Sequence, residues 1–191
     1  MNVAQVALSC FLIACSAAAF GNEPPREPGA LAEAIRSGAH PGIDGLIVSR
    51  DAVLLADAAA STLPAVGRDI RSATKSITAL LVGIAIDRGS IPSVDTPVVD
   101  LLPEYADALR TDPRKARIRV RDLLTMRSGL DCDDWDRASP GHEDRMYRRR
   151  DWLAFWAAVP MRDEPGTRFS YCTGNAVALG RIMEIASGQT L

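Results

Sequence analysis

The hydrophobic and polar positions of the chain follow two periods, and each period predicts a different kind of element. Short apolar runs at 43–48 and 53–58 flank the polar segment 49–52 and predict a β-hairpin. Apolar residues at helical spacing predict several helices, at 29–37, 121–126, 151–158 and 176–186. This order favours the α+β class, in which an antiparallel sheet begun by the hairpin packs against a helical region at 72–191.

The most apolar helix of the pattern runs from Ile77 to Ile86, and only Thr78 and Gly83 interrupt it. Such a helix has no face suited to water, so we expect it to lie at the centre of a domain and to need cover on every side, part of it from strands that follow Leu191. Gly89 follows it and supplies the left-handed backbone conformation in which many helices end.

Ser72 and Lys75 are a candidate nucleophile and base at the start of this helix. Their spacing of three residues places both side chains on one helical face. The chain contains twenty arginines but only two lysines, Lys75 and Lys115. A lysine, unlike an arginine, can lose its proton in a protein and then accept one from a serine. The start of a helix also favours negative charge near the serine oxygen. A helix-capping serine followed by an exposed lysine is the alternative interpretation.

Composition and charge exclude several classes of protein. With 47% hydrophobic residues and a net charge of −2 over 191 residues, the chain is neither disordered nor a nucleic-acid-binding protein that depends on bulk positive charge. The segment 131–136 contains four aspartates, but it lacks the glycine and the distant glutamate of an EF-hand loop. We therefore expect a polar loop there rather than a metal site, and no pattern indicates a cofactor.

The segment from Met1 to Phe20 is apolar and ends in small residues before a polar stretch, although no lysine or arginine precedes the apolar part. This pattern predicts a signal peptide at 1–19, a linker at 20–28 and an exported protein, periplasmic or secreted. The sequence Leu-Ile-Ala-Cys ending at Cys15 is also similar to a bacterial lipid-attachment box. Only an acylated Cys15 would tether the protein to a membrane, and an ordinary cysteine of the apolar segment is the alternative.

Three motifs occur in an order that resembles a known superfamily. They are Ile70-Arg-Ser-Ala-Thr-Lys-Ser-Ile-Thr78, Asp122-Leu-Leu-Thr-Met-Arg-Ser-Gly-Leu130 and Pro165-Gly-Thr-Arg-Phe-Ser-Tyr171, followed by Leu179-Gly-Arg-Ile182. Together they resemble the serine β-lactamase and penicillin-binding-protein superfamily, and within it the class C β-lactamase-related serine hydrolases. The resemblance implies a β-lactamase-like domain over 29–191.

The resemblance also implies roles for individual residues. Ser72 would be the acylated nucleophile, Lys75 its activating partner and Tyr171 the tyrosine that shares proton transfer; a structural tyrosine at a helix start is the alternative for Tyr171. The family's Tyr-x-Asn corresponds to Tyr171-Cys-Thr173 here. Thr173 would then be a substrate-binding residue, although its single hydroxyl cannot replace both groups of an amide, which weakens the expectation of β-lactam recognition.

The predicted function is hydrolysis of a small-molecule ester, amide or β-lactam through an acyl-serine intermediate, without a cofactor. A non-catalytic peptidoglycan-binding or regulatory relative of the penicillin-binding proteins is the alternative. The family's third motif, Lys-Thr-Gly or His-x-Gly, does not occur before Leu191. We therefore expect the sequence to be the N-terminal part of a hydrolase, inactive and poorly stable by itself.

Cys132 and Cys172 are the cysteines that remain once residues 1–19 are removed, since the other two are Cys10 and Cys15. In an oxidising compartment such a pair predicts a disulfide. It would hold the loop after Leu130 beside Tyr171. Two buried free thiols are the alternative.

Overall fold

The structure, a computed structural model, describes residues 28–60 and 69–190 of the chain. The chain divides into two compact units, residues 1–68 and residues 69–191. The predicted signal peptide with Cys15, and all but the last residue of the predicted linker at 20–28, lie outside the described residues. Within the described ranges, no helix is both long and apolar enough to cross a membrane.

The first unit contains one helix and a two-stranded antiparallel sheet. These elements are α1 (Pro28–Arg36), β1 (Gly45–Arg50) and β2 (Val53–Ala59). A small core joins them, in which Ala32 and Ile35 of α1 pack with Ala56 and Ala58 of β2. The helix and the hairpin that the sequence predicts are both confirmed, with bounds that differ by at most two residues.

The hairpin closes through Asp51 and Ala52, which both have positive φ, 51° and 62°. Positive φ at both central residues is the geometry of two-residue turns that match the twist of paired strands. A register shift between Val48 and Ser49 precedes the turn. The turn therefore places an alanine in a conformation that residues with a side chain adopt with strain.

The second unit is helical. Its helices are α2 (Thr74–Asp87), α3 (Val98–Leu101), α4 (Ala106–Leu109), α5 (Val120–Leu124), α6 (Glu143–Met146), α7 (Trp152–Ala158) and α8 (Thr173–Ser187). Single turns of 3-10 helix lie at Arg71–Ala73, Pro103–Tyr105 and Lys115–Arg117. With the antiparallel hairpin of the first unit, these helices confirm the predicted α+β class.

Helix α8 is the centre of the second unit, and α2, α5 and α7 all pack against it. Ala178, Leu179 and Ile182 on its buried side are at most 3% exposed. Trp156 of α7 is also buried, and its indole Nε1 donates a hydrogen bond of 3.1 Å to Oδ1 of the buried Asn175. Because a buried polar group without a partner is costly, this bond fixes the first turn of α8 against α7.

Helix α2 is only partly covered by the described residues. Val82 and Ala85 are buried, but Ile77, Leu80 and Ile84 remain 48%, 69% and 46% exposed. Helix α8 packs along α2, and one helix covers a stripe of its neighbour rather than its whole circumference. An apolar sequence shows which residues favour burial, but it does not show how many of them meet a partner.

Both long helices end at a glycine with left-handed backbone. Gly89 follows α2 with a φ of 72°, and Gly188 caps α8 with a φ of 69°. The backbone N–H of Gly188 donates to the carbonyl of Glu184 over 2.9 Å, which satisfies a carbonyl of the last turn. The helix end that the sequence predicts at Gly89 is confirmed.

Candidate active site

Ser72 lies in the single 3-10 turn that leads directly into α2. The sequence predicts this serine at the start of the α-helix, and the structure places it just before that start, which is Thr74. Arg71 has a φ of 51°, which is uncommon for a residue with a side chain. Asp69 stabilises this backbone, because its Oδ1 accepts the Arg71 N–H over 2.8 Å and its Oδ2 lies 3.3 Å from the Arg71 Nε. Strain of this kind concentrates at functional sites.

Two side chains converge on the hydroxyl of Ser72. Nζ of Lys75 donates to Oγ of Ser72 over 3.3 Å, and the hydroxyl of Tyr171 donates to the same Oγ over 2.7 Å. Nζ of Lys75 also lies 5.1 Å from the centre of the Tyr171 ring. The structure thus brings together three residues that the sequence analysis selected, although 99 residues separate Ser72 from Tyr171.

Tyr171 is held from the side by the loop that contains Trp135. The two rings stack with their planes 2° apart and their centroids 5.3 Å apart. The backbone N–H of Asp134 donates to the Tyr171 carbonyl over 2.8 Å. Trp135 is 74% exposed, so its position results from this stack and from the loop backbone rather than from burial in the core.

Cys132 and Cys172 are joined by a disulfide with an S–S distance of 2.03 Å. Both residues are 1% exposed. Gly141 packs against this bridge, and a Cβ at that position would lie 2.7 Å from the Cys132 Cβ. The bridge links the loop of Trp135 covalently to the residue that follows Tyr171.

Thr173, the first residue of α8, shares the pocket with Ser72 and Lys75. Its backbone N–H donates to Oδ2 of Asp134 over 2.6 Å, and its Oγ1 donates to Oε2 of Glu143 over 2.9 Å. The hydroxyl proton of Thr173 is therefore directed to Glu143, and its oxygen can still accept a hydrogen bond.

Glu143 and Tyr147 line the same pocket and do not emerge from the sequence analysis. The Tyr147 hydroxyl donates to Oε2 of Glu143 over 2.9 Å. Burial, with this hydrogen bond as a second cause, raises the pKa of Tyr147 to about 12, so the phenol is neutral at physiological pH. Both residues belong to or follow the four-residue helix α6, which is too short to show a hydrophobic period.

Asp134 anchors this side of the pocket. Its Oδ1 accepts the backbone N–H of Glu143 over 2.9 Å, and its Oδ2 accepts that of Thr173. Burial raises the pKa of Asp134, and the nearby Glu143 carboxylate acts in the same direction, while the hydrogen bonds from Thr173 oppose the shift. The first turns of α6 and α8 are thereby fixed to one carboxylate.

Two other aspartates of the acidic segment 131–136, Asp133 and Asp136, accept hydrogen bonds from nearby backbone N–H groups, while Asp131 forms an ion pair with Arg162. Oδ1 of Asp133 accepts the N–H of Trp135 over 3.0 Å, and Oδ1 of Asp136 accepts the N–H of Ala138 over 2.9 Å. Among the described residues, no group of three or more His, Cys, Asp or Glu side chains is placed to hold a metal ion.

The pocket that these residues form has a volume of about 370 Å³. Its wall includes Ser72, Lys75, Thr78, Glu143, Tyr147 and Thr173. The N-terminus of the fourteen-residue helix α2 points its positive dipole end toward the serine turn. A nucleophile, a basic side chain, a phenol and a cavity for a small molecule thus occur together in the second unit.

The family model described as Beta-lactamase matches residues 68–191. The chain belongs to the beta-lactamase family. A curated relative, penicillin-binding protein 4 from Amycolatopsis lactamdurans, is 34% identical over 120 residues, which cover 62% of this chain and 29% of that protein. The residues matched by the family model include the candidate active site, and the chain spans less than a third of that relative's length.

Two solved structures share this fold over most of the chain. EstCE1, a hydrolase with promiscuous acyltransferase activity, is 21% identical with a TM-score of 0.61, over 86% of this chain and 47% of its own. Simvastatin synthase from Aspergillus terreus is 23% identical with a TM-score of 0.54, over 85% of this chain and 48% of its own. At these identities the likeness shows the fold alone, and the predicted β-lactamase/transpeptidase-like fold is confirmed.

Proposed function

We propose that the chain carries the nucleophilic centre of a serine hydrolase of the class C β-lactamase-related branch. It would act on an ester, an amide or a β-lactam through an acyl-serine intermediate. The observation that carries this proposal is the convergence of Lys75 Nζ and the Tyr171 hydroxyl on Ser72 Oγ, at 3.3 Å and 2.7 Å. A serine hydroxyl is a weak nucleophile, and a neighbouring base is what activates it.

The proposed reaction uses only these three side chains. Oγ of Ser72 attacks the substrate carbonyl carbon as its proton passes to the unprotonated Lys75 amine. Tyr171 then delivers a proton to the leaving oxygen or nitrogen, and Lys75 restores the phenol. Water attacks the acyl-serine in the second half of the reaction by the reverse proton path. Neither half requires a cofactor.

Within the three substrate classes, the pocket is less suited to a β-lactam than to an ester or a simple amide. The Thr173 hydroxyl stands where the family has an amide side chain, and it donates to Glu143. It is therefore not offered as a donor to the amide carbonyl that a β-lactam carries beside its ring. The acyltransferase activity named for EstCE1 belongs to that protein, and it is compatible with an acyl-serine route here.

A fluorophosphonate probe tests the proposal, because it labels only an activated serine. We expect one adduct per chain, mapped by peptide mass to Ser72 and absent from Ser72→Ala. Ser76→Ala is the matched control, since Ser76 lies one residue beyond Lys75 in α2 and makes no contact with Tyr171 among those described. A non-catalytic binding relative would leave no adduct in any variant, and that result would overturn the proposal.

We also propose that the protein is exported. The apolar segment from Met1 to Phe20 and the bridged pair of Cys132 and Cys172 support this. Intact mass of the protein from a bacterial periplasm tests it, because cleavage after residue 19 and lipidation of Cys15 give different masses.

The expectation that these 191 residues turn over substrate poorly stays a prediction, and turnover of a chromogenic ester tests it.

A further inference from the structure

The pocket beside Ser72 contains a carboxylate that the proposed reaction does not use, that of Glu143. Glu143 is the first residue of α6 and is half-buried. Its Oε2 accepts hydrogen bonds from Thr173 Oγ1 and from the Tyr147 hydroxyl, both over 2.9 Å. Both donors are neutral, so they orient the carboxylate without balancing its charge.

The second oxygen of this carboxylate, Oε1, is available to a ligand. Within residues 28–60 and 69–190, Oε1 accepts no hydrogen bond, and no basic side chain forms an ion pair with Glu143. Of the other charged residues of the pocket, Asp69 pairs with Arg71, and Nζ of Lys75 donates to Ser72 rather than to Glu143.

The neighbouring carboxylate of Asp134 adds to the negative potential at this position. Its two oxygens accept the backbone N–H groups of Glu143 and Thr173, at 2.9 Å and 2.6 Å, so it cannot turn away. The negative charge of the half-buried Glu143 is unfavourable because of desolvation and because of repulsion from Asp134, and a bound cation would relieve both costs. Oε1 of Glu143 and the carboxylate of Asp134 together make this wall of the pocket attractive to a positively charged group.

We propose that Glu143 is a specificity-determining residue that binds a cationic group of the substrate, so that the preferred ester or amide carries an amine. This rests on the proposed function, because it places the substrate in the pocket beside Ser72. The Tyr147 and Thr173 hydroxyls hold Glu143 in position for the contact. An ion pair of this partly exposed kind discriminates between charged and neutral ligands by about 2- to 5-fold.

Two p-nitrophenyl esters of equal shape test the proposal on the full chain. The acyl chain of one ends in a trimethylammonium group, and that of the other ends in a neutral tert-butyl group. We expect acylation of the wild type by the cationic ester to be faster by about 2- to 5-fold, and this ratio to approach one in Glu143→Gln. The ratio should also fall as salt is added, because salt screens a partly exposed ion pair.

Asp144→Asn is the matched control, because it removes the same charge from the next residue of α6, which is exposed. The ratio should persist in that variant, since Asp144 does not line the pocket. A wild-type ratio near one, or a ratio that Glu143→Gln leaves intact, would overturn the proposal.

Binding of the corresponding ketones, which cannot be cleaved, separates this proposal from the proposed function. Calorimetry should show tighter binding of the cationic ketone to the wild type and no such preference in Glu143→Gln. A preference among ketones without any fluorophosphonate labelling of Ser72 would reject the hydrolase and keep the cation site. Equal affinity of the two ketones, or no measurable binding of either, would reject the cation site.

Discussion

Trp135 lies flat against Tyr171, with the ring planes 2° apart and the centroids 5.3 Å apart. The Tyr171 hydroxyl on the far end of that ring reaches Ser72 Oγ over 2.7 Å. An indole that is 74% exposed contributes little to the core. Its contact with Tyr171 is therefore better explained by orientation of the phenol than by stability of the fold.

Removal of this stack should affect chemistry more than folding. We expect Trp135→Ala to slow fluorophosphonate labelling of Ser72 by about 10-fold, because the Tyr171 ring loses the contact that fixes its plane. Trp135→Phe keeps an aromatic face and should restore most of the rate. Thermal unfolding of both variants should stay close to that of the wild type. A labelling rate unchanged in Trp135→Ala would show that the stack has no positioning role.

The roles of the two groups that contact Ser72 can be separated by conservative substitutions. Lys75→Arg keeps the positive charge, yet we expect it to abolish labelling almost completely, because a guanidinium cannot accept the serine proton. Tyr171→Phe should slow turnover by about 10²-fold, the usual scale for loss of a general acid or base. Near-normal labelling in Lys75→Arg would make Lys75 an electrostatic helper and contradict the proton path proposed above.

The sequence predicts the parts of the site that are local. Ser72 and Lys75 are three residues apart in one turn, so a helical spacing is enough to bring them together. Tyr171 could not be found by spacing, because 99 residues separate it from Ser72. Only the resemblance of three ordered motifs selected it.

The parts that the sequence does not predict depend on contacts between distant segments. Glu143 reaches the pocket because Asp134 binds the backbone N–H groups of both Glu143 and Thr173. In the sequence, Asp134 belongs to an acidic stretch that has the composition of a solvated loop. The exposure of Leu80 in α2 has the same origin, since burial depends on which element packs against the helix and not on the helix sequence alone.

The disulfide should matter to both stability and labelling. Closing a loop of about 40 residues contributes about 4 kcal/mol in the chain-entropy model. We expect native protein from an oxidising compartment to take up no alkylating agent at Cys132 and Cys172 unless it is first reduced. Reduction should lower the unfolding temperature and slow labelling of Ser72, because Cys172 adjoins Tyr171. Two thiols alkylated in the native, exported protein would rule the bridge out.

Lys115, the second lysine of the chain, is the more buried of the two. It is 4% exposed, and its Nζ donates to the carbonyl of Ala157 over 2.6 Å. Burial lowers the pKa of Lys115 below its ordinary value of 10.5, and the nearby Asp112 only partly opposes the shift. The unfolded chain therefore binds a proton that the folded chain releases, in the pH range between the lowered pKa and 10.5.

Stability should consequently rise with pH in that range. We expect the free energy of unfolding of the wild type, relative to Lys115→Met, to increase by up to about 1.4 kcal/mol per pH unit as pH rises through the lowered pKa toward the ordinary one. Lys115→Arg is the control, because a guanidinium keeps its proton throughout and should show no such gain. Urea unfolding from neutral to alkaline pH, followed by tryptophan fluorescence, measures the difference. If the free energy of unfolding relative to Lys115→Met stays constant or falls as pH rises, the pKa of Lys115 is not lowered in the fold. The hydrogen bond to Ala157 would then compensate fully for the loss of hydration.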